Sequence, residues 1–281
     1  MNTTEPPGRL RLIPIADPGD PRIAAYRDIR ERDLVGREGR FVAEGKVVLA
    51  ALFAGGRFDA ESVLVLENRL GGLAGTLDAA PAGLPVYVAP AAVMDAVAGF
   101  PMHRGILAIG RRRAPDTLDG LLESLPRQAT VVVLVGLANH DNVGAIFRNA
   151  AAFGADAVLL DSTSCDPLYR KAIRVSVGAA LKVPFVREGD AAALLAAVRR
   201  HGFETVALSP GGREDIAAIE RPRRVALVLG TEGTGLPAAL LAGLRTARIA
   251  MTPGFDSLNV AAASAIALHR MFVPDGLREK E

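Results

Sequence analysis

The sequence predicts an α/β protein, and three of its features support that fold class. From about residue 116 onward, short strand patterns alternate with longer helical patterns, which is the order expected of βαβ units. The strand patterns are nearly continuous runs of Val, Leu and Ala, so we expect helices to bury both faces of a mostly parallel sheet. Gly154 and Gly202 follow predicted helices, at the position where a left-handed residue is favoured.

The length and composition are those of a folded chain with about two domains. The 281 residues are 50% hydrophobic and 23% charged, which permits a sizeable core and argues against disorder. No apolar run approaches the ~18 residues of a membrane span, and residues 1–8 lack the layout of a secretory signal. The single cysteine, Cys165, excludes an intrachain disulfide framework. We expect a soluble, cytoplasmic protein that does not enter a membrane.

The first domain is predicted to span residues 1–115 as a small α/β unit. The stretch 41–55 carries an apolar face at helical spacing and ends at Gly55-Gly56, which favours a helix. Short strands are predicted over 62–66, 86–88 and 105–110. Residues 111–116, RRRAPD, have the composition of a linker, which places the boundary near residue 115.

The second domain, residues 116–281, holds the regular alternation. Its strands are predicted over 131–137, 157–160, 183–186, 205–208, 225–229 and 247–251. Its helices are predicted over 143–153, 168–175, 191–201, 215–219, 237–244 and 258–271.

The charge of the chain does not by itself identify a partner. There are 33 basic and 31 acidic residues, a net charge of +2, far below the excess of a protein that coats nucleic acid. Basic residues cluster at Arg27, Arg30, Arg32, Arg37, Arg40 and Lys46. Because acidic residues interleave with them, a solvated helix face is the ordinary explanation of this cluster.

Several familiar motifs are absent from the sequence. The segment 137–144, LANHDNVG, is not a dinucleotide-binding glycine fingerprint. The segment 36–47, GREGRFVAEGKV, resembles a phosphate loop, but its Gly39-to-Gly45 spacing is one residue too long. Val47 also stands where Ser or Thr is needed. There is no G-x-S-x-G elbow, and the four histidines are far apart, so neither a serine hydrolase nor a metal site is predicted.

Three loops remain, each after a predicted strand, where open α/β sheets bind their ligands. They are NHDNVGAIFRN at 139–149, GTEGTGL at 230–236 and MTPGFDSLN at 251–259. Asn142 is expected to cap the following helix, with Arg148 near the same edge of the sheet. Taken singly, Asn142 and Ser257 could each be a helix cap. Glu232 and Arg148 could form an ordinary surface ion pair. Together, the loops predict a cleft with a few polar groups between apolar walls.

The combination of these loops resembles a known family. The segments NVGAIFRNAAAFGA, LVLGTEGTGL and SLNVAAASAIAL, in this order, are similar to the three motifs of the SpoU (TrmH-like) branch of the SPOUT RNA methyltransferases. The resemblance covers about residues 128–273. The first domain, with FVAEGKVVLAALFAGG and MHRGILAIG, resembles the L30e-type substrate-binding domain that often precedes the catalytic domain in that family.

The resemblance implies an S-adenosylmethionine-dependent transfer of methyl to a ribose 2′-hydroxyl of ribosomal or transfer RNA, with ribosomal RNA favoured. It also implies a homodimer with a deep trefoil knot near the C-terminus, and no metal. Carried over by position, the catalytic set is Asn142, Arg148, Glu232, Ser257 and Asn259. The implied cofactor pocket is Leu208, Gly230, Ile249, Met251 and Leu258.

RNA is expected to be held mainly through its phosphates. Aromatic residues are scarce, at 5% with no tryptophan, which argues against base stacking as the main contact. The expected backbone contacts are Arg27, Arg30, Arg37, Arg40 and Arg148, together with the arginines at 111–113.

The third motif departs from the family pattern. The family usually has proline directly before the methionine and glycine two residues after it, whereas residues 249–254 here read IAMTPG. The spacing from Ile249 to Leu258 is retained, so cofactor binding is still expected. Two alternatives stay open: a catalytically inactive RNA-binding or ribosome-assembly factor on the same fold, and a different α/β enzyme with a nucleotide substrate.

Overall fold

A computed structural model describes residues 11–27, 39–99, 104–114 and 116–274. The chain divides into two compact units. The first comprises Met1–Ala114 with Leu168–Lys182, and the second comprises Pro115–Pro167 with Val183–Glu281. The chain therefore leaves the first unit near residue 115, where the sequence has the composition of a linker. It returns to the first unit for the fifteen residues Leu168–Lys182. The sequence places that returning segment in the second domain, since nothing in its local pattern distinguishes it.

The strands alternate with helices in both units. Within the described residues the strands are β1 (Arg11–Pro14), β2 (Arg40–Glu44), β3 (Phe58–Leu66), β4 (Pro85–Ala89), β5 (Ile106–Arg112), β6 (Ala129–Leu134), β7 (Ala157–Leu160), β8 (Phe185–Arg187), β9 (Glu204–Leu208), β10 (Glu214–Asp215), β11 (Arg224–Leu229) and β12 (Arg245–Arg248). The α-helices there are α1 (Lys46–Ala54), α2 (Ala74–Leu77), α3 (Ala91–Ala98), α4 (Leu118–Ser124), α5 (His140–Ala152), α6 (Arg170–Val175), α7 (Ala191–Arg200), α8 (Ala238–Ala242) and α9 (Val260–Met271).

Each unit is built on one sheet. The first unit has a mixed sheet of order β1-β4-β3-β5-β2, in which β5 is antiparallel to both β3 and β2. The second unit has a seven-stranded sheet of order β10-β12-β9-β11-β6-β7-β8, and every pairing in it is parallel. The parallel sheet agrees with the α/β class predicted from the sequence.

Burial on both faces explains the continuous apolar strands of the second unit. Every residue of β6 and of β7 is buried. One face packs on α7, whose Leu194 and Val198 lie in the same core cluster as Val131. Burial of each Val or Leu side chain contributes about 1.5–3 kcal/mol to the free energy of unfolding. These strands therefore stabilise the sheet, and the three polar loops follow the ends of its strands.

The predicted helix over 41–55 is wrong in its first part. Residues 40–44 form β2, paired antiparallel with β5, and α1 begins only at Lys46. Phe41, Val42 and Ala43 are all buried, and such a short apolar run fits a buried strand or a helix equally well. Gly45, with φ of 96°, separates the two elements, and this conformation is open mainly to glycine.

The predicted linker at 111–116 is part strand. The first two arginines end β5, and their register places Arg111 opposite Asp59 of β3. Arg111 lies 3.2 Å from a Glu61 carboxylate oxygen, and Arg113 lies 2.9 Å from that of Asp59. Carboxylates of the neighbouring strand β3 thus pair with Arg111 and Arg113.

Other differences concern boundaries and short elements. The predicted strand 247–251 lies earlier, at β12, so residues 249–251 have left the sheet. The strands β1 and β10 and the helices α2, α3 and α4 were not predicted, because each is short or lacks a clear period. In the parts of the chain that the structure describes, no helix has the length and apolarity to cross a bilayer.

Candidate active site

A cavity of about 360 Å³ opens at the carboxyl ends of β9, β11 and β12, beside the start of α9. Ligands of open α/β sheets bind at this edge, and the volume is typical of a small-molecule site. All five residues predicted to bind a cofactor line it: Leu208, Gly230, Ile249, Met251 and Leu258. Leu208 ends β9, while Gly230 and Ile249 directly follow β11 and β12.

The loop after β11 requires glycine at its first position. A Cβ on Gly230 would lie 2.5 Å from the carbonyl carbon of Gly235 and the nitrogen of Leu236. The loop closes on itself there, because Thr231 forms a bridge with Gly235 and its Oγ1 donates to the Gly235 carbonyl at 3.1 Å. Gly230 therefore has a packing role as well as a place on the cavity wall.

The loop after β9 is tied to β12. Ser209 N donates to the Ala247 carbonyl at 2.9 Å, and Arg213 N donates to Thr246 Oγ1 at 3.1 Å. A Cβ on Gly212 would lie 2.3 Å from the carbonyl carbon of Ala247. This close crossing fixes the two strand ends that carry Leu208 and Ile249. Gly212 was not predicted, although the glycine pair 211–212, three residues after the end of β9, is a turn signal.

Asn142 and Asn259 meet, although they are 117 residues apart. Asn259 Nδ2 donates to Asn142 Oδ1 at 3.0 Å. Asn259 also caps α9, since its Oδ1 accepts from Ala261 N at 2.8 Å. The expectation that Asn142 caps α5 is wrong: Asn139 is the cap, and Asn142 is buried inside the first turn. The first turn of α5 thereby holds the start of α9 in place.

Asn149 is a second link between these helices that the sequence analysis missed. Its Nδ2 donates to the Ala261 carbonyl at 2.8 Å and to Ser264 Oγ at 2.9 Å. Asn142 and Asn149 are seven residues apart, which places both on one face of α5. That spacing was the available signal within the segment NHDNVGAIFRN.

The rest of the predicted catalytic set is only partly brought together. Glu232, Ser257 and Asn259 line the cavity, and all three are exposed. Arg148 does not line it and is exposed on α5. Among the residues the structure describes, neither the Arg148 guanidinium nor the Glu232 carboxylate has an ion-pair partner, so the alternative of a surface pair between them is not observed.

A buried carboxylate holds the loop that leads into α5. Asp161 accepts hydrogen bonds from Gly136 N at 3.0 Å and from Ser164 Oγ at 2.7 Å. Burial by itself raises the pKa of Asp161, but these hydrogen bonds, with one from Thr163 Oγ1, outweigh it and lower the pKa below its usual value. Nearby, burial raises the pKa of the Cys165 thiol to about 12, so this cysteine is protonated at neutral pH and is no nucleophile.

The predicted RNA-contacting arginines of the first unit are only partly described. Arg27 is half-buried and donates from a terminal nitrogen to the Pro18 carbonyl at 3.0 Å. Arg40 Nε donates to Glu61 Oε2 at 2.7 Å, so its charge is offset by a neighbour. Arg30 and Arg37 lie outside the described residues. In the described ranges, no group of three His, Cys, Asp or Glu side chains is placed to hold a metal ion.

Comparison with known proteins gives a consistent result. The family described as "SpoU rRNA Methylase family" matches residues 129–269. A protein named as an uncharacterized tRNA/rRNA methyltransferase of Mycobacterium bovis is 40% identical over 274 residues, which cover 94% of this chain and 92% of that protein. A 23S rRNA (guanosine-2′-O-)-methyltransferase of Acinetobacter baylyi is 32% identical over 68% of this chain and 79% of its own length.

A solved structure shares the fold. The AdoMet-bound rRNA methyltransferase from Sinorhizobium meliloti superposes with a TM-score of 0.77, at 24% identity, over 92% of this chain and 97% of that one. The similarity confirms the α/β class with its mostly parallel sheet. The L30e type of the first domain stays a prediction.

Proposed function

Because this chain belongs to the SpoU family of RNA 2′-O-ribose methyltransferases, we propose that it methylates a ribose 2′-hydroxyl of ribosomal RNA with S-adenosylmethionine as the methyl donor. The observation that carries the proposal is the cavity at the ends of β9, β11 and β12, lined by every residue assigned to the donor. The membership confirms the resemblance stated for the three motifs.

The preference for ribosomal RNA rests on two supports. The family description names rRNA, and the Acinetobacter relative is named for 23S rRNA. The Mycobacterium relative is named for tRNA and rRNA alike, so transfer RNA is the second candidate substrate. A guanosine ribose in 23S rRNA is the target that the Acinetobacter name suggests.

The residues of the cavity fit the methyl donor. Leu208, Ile249 and Leu258 supply apolar walls, the main chain at Gly230 supplies polar groups, and Glu232 lies at the exposed side. S-adenosylmethionine supplies an electrophilic methyl group on a positively charged sulfonium, and that charge disappears in the transfer. Apolar walls exclude water and favour the loss of charge. The displaced proline and glycine of the third motif lie in the segment 249–259, after the end of β12. Ile249 and Leu258, on either side of them, still line the cavity.

The ribose hydroxyl is a poor nucleophile, so the residues of the chain must orient it and stabilise the charge it develops. We assign Arg148 to the phosphate beside the target ribose and to the developing alkoxide, because a guanidinium stays protonated and forms bidentate contacts with phosphate. Its guanidinium is exposed and has no partner among the residues that the structure describes, so it is available for that contact. Because no pair between Glu232 and Arg148 is observed among the described residues, we assign Glu232, which lines the cavity, to accept the proton through water. The Asn142–Asn259 hydrogen bond fixes the two helix starts around the cavity.

Three further parts of the proposal come from family resemblance. These are a homodimer, a trefoil knot that contains the cavity, and a cytoplasmic location. The inactive RNA-binding alternative receives no support, since neither relative is named as an inactive factor. A different nucleotide-using α/β enzyme is also disfavoured, because the family match covers the three loops together.

The test is a map of 2′-O-methyl sites in total RNA from cells with and without the gene. We expect one ribosomal site to disappear with the gene and to return with the wild-type copy. Purified protein should then transfer labelled methyl from S-adenosylmethionine to the unmodified rRNA. An unchanged map, together with no binding of S-adenosylmethionine by calorimetry, contradicts the proposal. Loss of a transfer RNA site instead moves the substrate to that class.

A further inference from the structure

The first unit holds a second cavity that the methyl transfer does not use. It has a volume of about 570 Å³ and is lined by residues of the β2–α1 turn, the segment after β3, the start of β5 and α6. Its cationic lining residues are Lys46, Arg69, Arg104 and Arg174. Among the described residues that line it, the one carboxylate is that of Glu44, which is buried and lies 3.9 Å from Arg104 Nε. The lining therefore carries an excess of positive charge.

The N-terminus of α1 also faces this cavity. Lys46, Val47 and Val48 line it, and the first N–H groups of a helix have no intrahelical acceptor. Within the described ranges no side chain caps this helix, since its N-cap is Gly45. The uncapped N–H groups and the positive end of the helix dipole attract an anion at this position.

The cations are held at different places around the helix start. Lys46 Nζ donates to the Gly72 carbonyl at 2.7 Å, which keeps its charge beside the first turn of α1. Arg174, in the last turn of α6, is exposed, and its guanidinium has no partner among the described residues. The segment Leu168–Lys182 thus adds to this site, beside the β2–α1 turn, an arginine whose charge no described residue offsets.

We propose that this cavity binds a phosphodiester group of the RNA substrate, an assignment that rests on the proposed function for the choice of RNA. The segment 36–47 fails as a nucleoside triphosphate loop because Val47 replaces the hydroxyl that would hold Mg²⁺. A helix start with lysine and arginine but no metal-binding hydroxyl is suited to a single phosphate group. The site secures the RNA backbone on the first unit, independently of the methyl donor.

The first test places a negative charge in the site without harming the helix. Val47 is 60% exposed, and a glutamate in the first turn is favoured by the helix dipole. We expect Val47→Glu to weaken binding of a 23S rRNA transcript by about tenfold or more, the effect of at least one lost ionic contact, with an unchanged or higher Tm. Val47→Gln is the matched neutral control and should bind like the wild type. Equal affinities of the Glu and Gln variants overturn the proposal.

The second test counts phosphate contacts through salt dependence. Arg174→Gln should lower the slope of log K against log salt by about 0.7–0.9, the value for one phosphate contact. Arg11→Gln removes an arginine that is exposed on β1 of the same unit and does not line the cavity, and its slope should equal that of the wild type. Identical slopes for the two variants overturn the proposal.

Two further measurements distinguish an RNA phosphate from free phosphate as the ligand, and distinguish failure of this proposal from failure of the proposed methyl transfer. Inorganic phosphate should compete with the transcript for the wild type and not for Val47→Glu. If phosphate binds the wild type without displacing the transcript, and Val47→Glu retains full RNA affinity, the site holds a free anion and the RNA assignment is wrong. S-adenosylmethionine binding by calorimetry should be the same in Val47→Glu and wild type. If calorimetry shows no binding of S-adenosylmethionine to the wild type, the proposed methyl transfer is refuted. Weaker RNA binding by Val47→Glu would still support the phosphate site in that case.

Discussion

Arg148 is exposed on α5, lacks a partner within the described residues and does not line the cavity. Its proposed role therefore depends on a contact with the RNA. If it grips a phosphate and stabilises the alkoxide, Arg148→Lys should lower kcat by about 10²-fold, the range for loss of one charge-stabilising donor. Binding of S-adenosylmethionine should not change. Arg127→Lys, at another exposed arginine of the second unit, is the control. Single-turnover methyl transfer measures both, and near-full turnover with unchanged RNA affinity in Arg148→Lys would exclude the bidentate contact.

Asn259 has two functions that substitutions can separate. Asn259→Ser keeps a good helix cap but is too short to reach Asn142, whereas Asn259→Ala loses both contacts. We expect both variants to lose the stability that the Asn142 hydrogen bond contributes. The alanine variant should lose about 1 kcal/mol more than the serine variant, because it also loses the cap. Both should show the same drop in kcat, measured beside urea unfolding. A serine variant with wild-type kcat would show that only the cap matters.

The loop after β11 depends on the absence of a side chain at its first position. Gly230→Ala must displace the backbone of Gly235 and Leu236, which costs about 1–3 kcal/mol. The same shift should weaken S-adenosylmethionine binding by about tenfold, because the cavity wall moves. Gly211→Ala is the control, since nothing lies within 4 Å of the Cβ it would add. Calorimetry and thermal unfolding measure both variants, and equal behaviour would contradict the packing role of Gly230.

The segment between β6 and α5 is held by a carboxylate with a lowered pKa, so its stability should depend on pH. The charged form of Asp161 contributes stability that is complete above the ordinary carboxyl pKa of about 3.9. That contribution is lost as the pH falls through the lowered folded-state pKa. Asp161→Asn should be less stable than the wild type at neutral pH and should lose less stability on acidification.

The measurement for Asp161 is the urea midpoint between about pH 6 and about pH 3, the range that brackets the ordinary carboxyl pKa. Glu123→Gln, at an exposed carboxylate of α4 in the same unit, should follow the wild-type profile. A parallel pH profile for Asp161→Asn and wild type would show that this network does not contribute to the acid response.

For the whole molecule, the expected homodimer has a measurable consequence. Ile266 on α9 is 41% exposed and Phe255 in the preceding loop is 67% exposed, and such apolar exposure marks candidate contact surfaces. Light scattering should give twice the mass of one chain. Ile266→Asp should shift the protein toward the monomer, while Leu12→Asp, at an exposed leucine of the first unit, should leave the mass unchanged. A monomer at all concentrations would contradict this prediction.

Whether an element or contact could be predicted from the sequence depended on how local its physical cause is. The strand predicted over 157–160 coincides with β7, whose four residues are all buried, as expected of a short strand covered on both faces. The stretch 41–55 was misread because the apolar residues before Gly45 fit a helix and a strand alike. Asn149 was missed because its partners, Ala261 and Ser264, lie more than a hundred residues away.

Local pattern in the amino-acid sequence determined the α/β class and the three loops, because burial and turn chemistry act over a few residues. The residues that line the cavity were indicated by the resemblance of the ordered motifs to the SpoU family. Only the tertiary structure decided that Asn142 bonds Asn259, that Arg148 stands outside the cavity, and that 168–182 joins the first unit. These depend on helix phase and on contacts between distant segments, which no local pattern specifies.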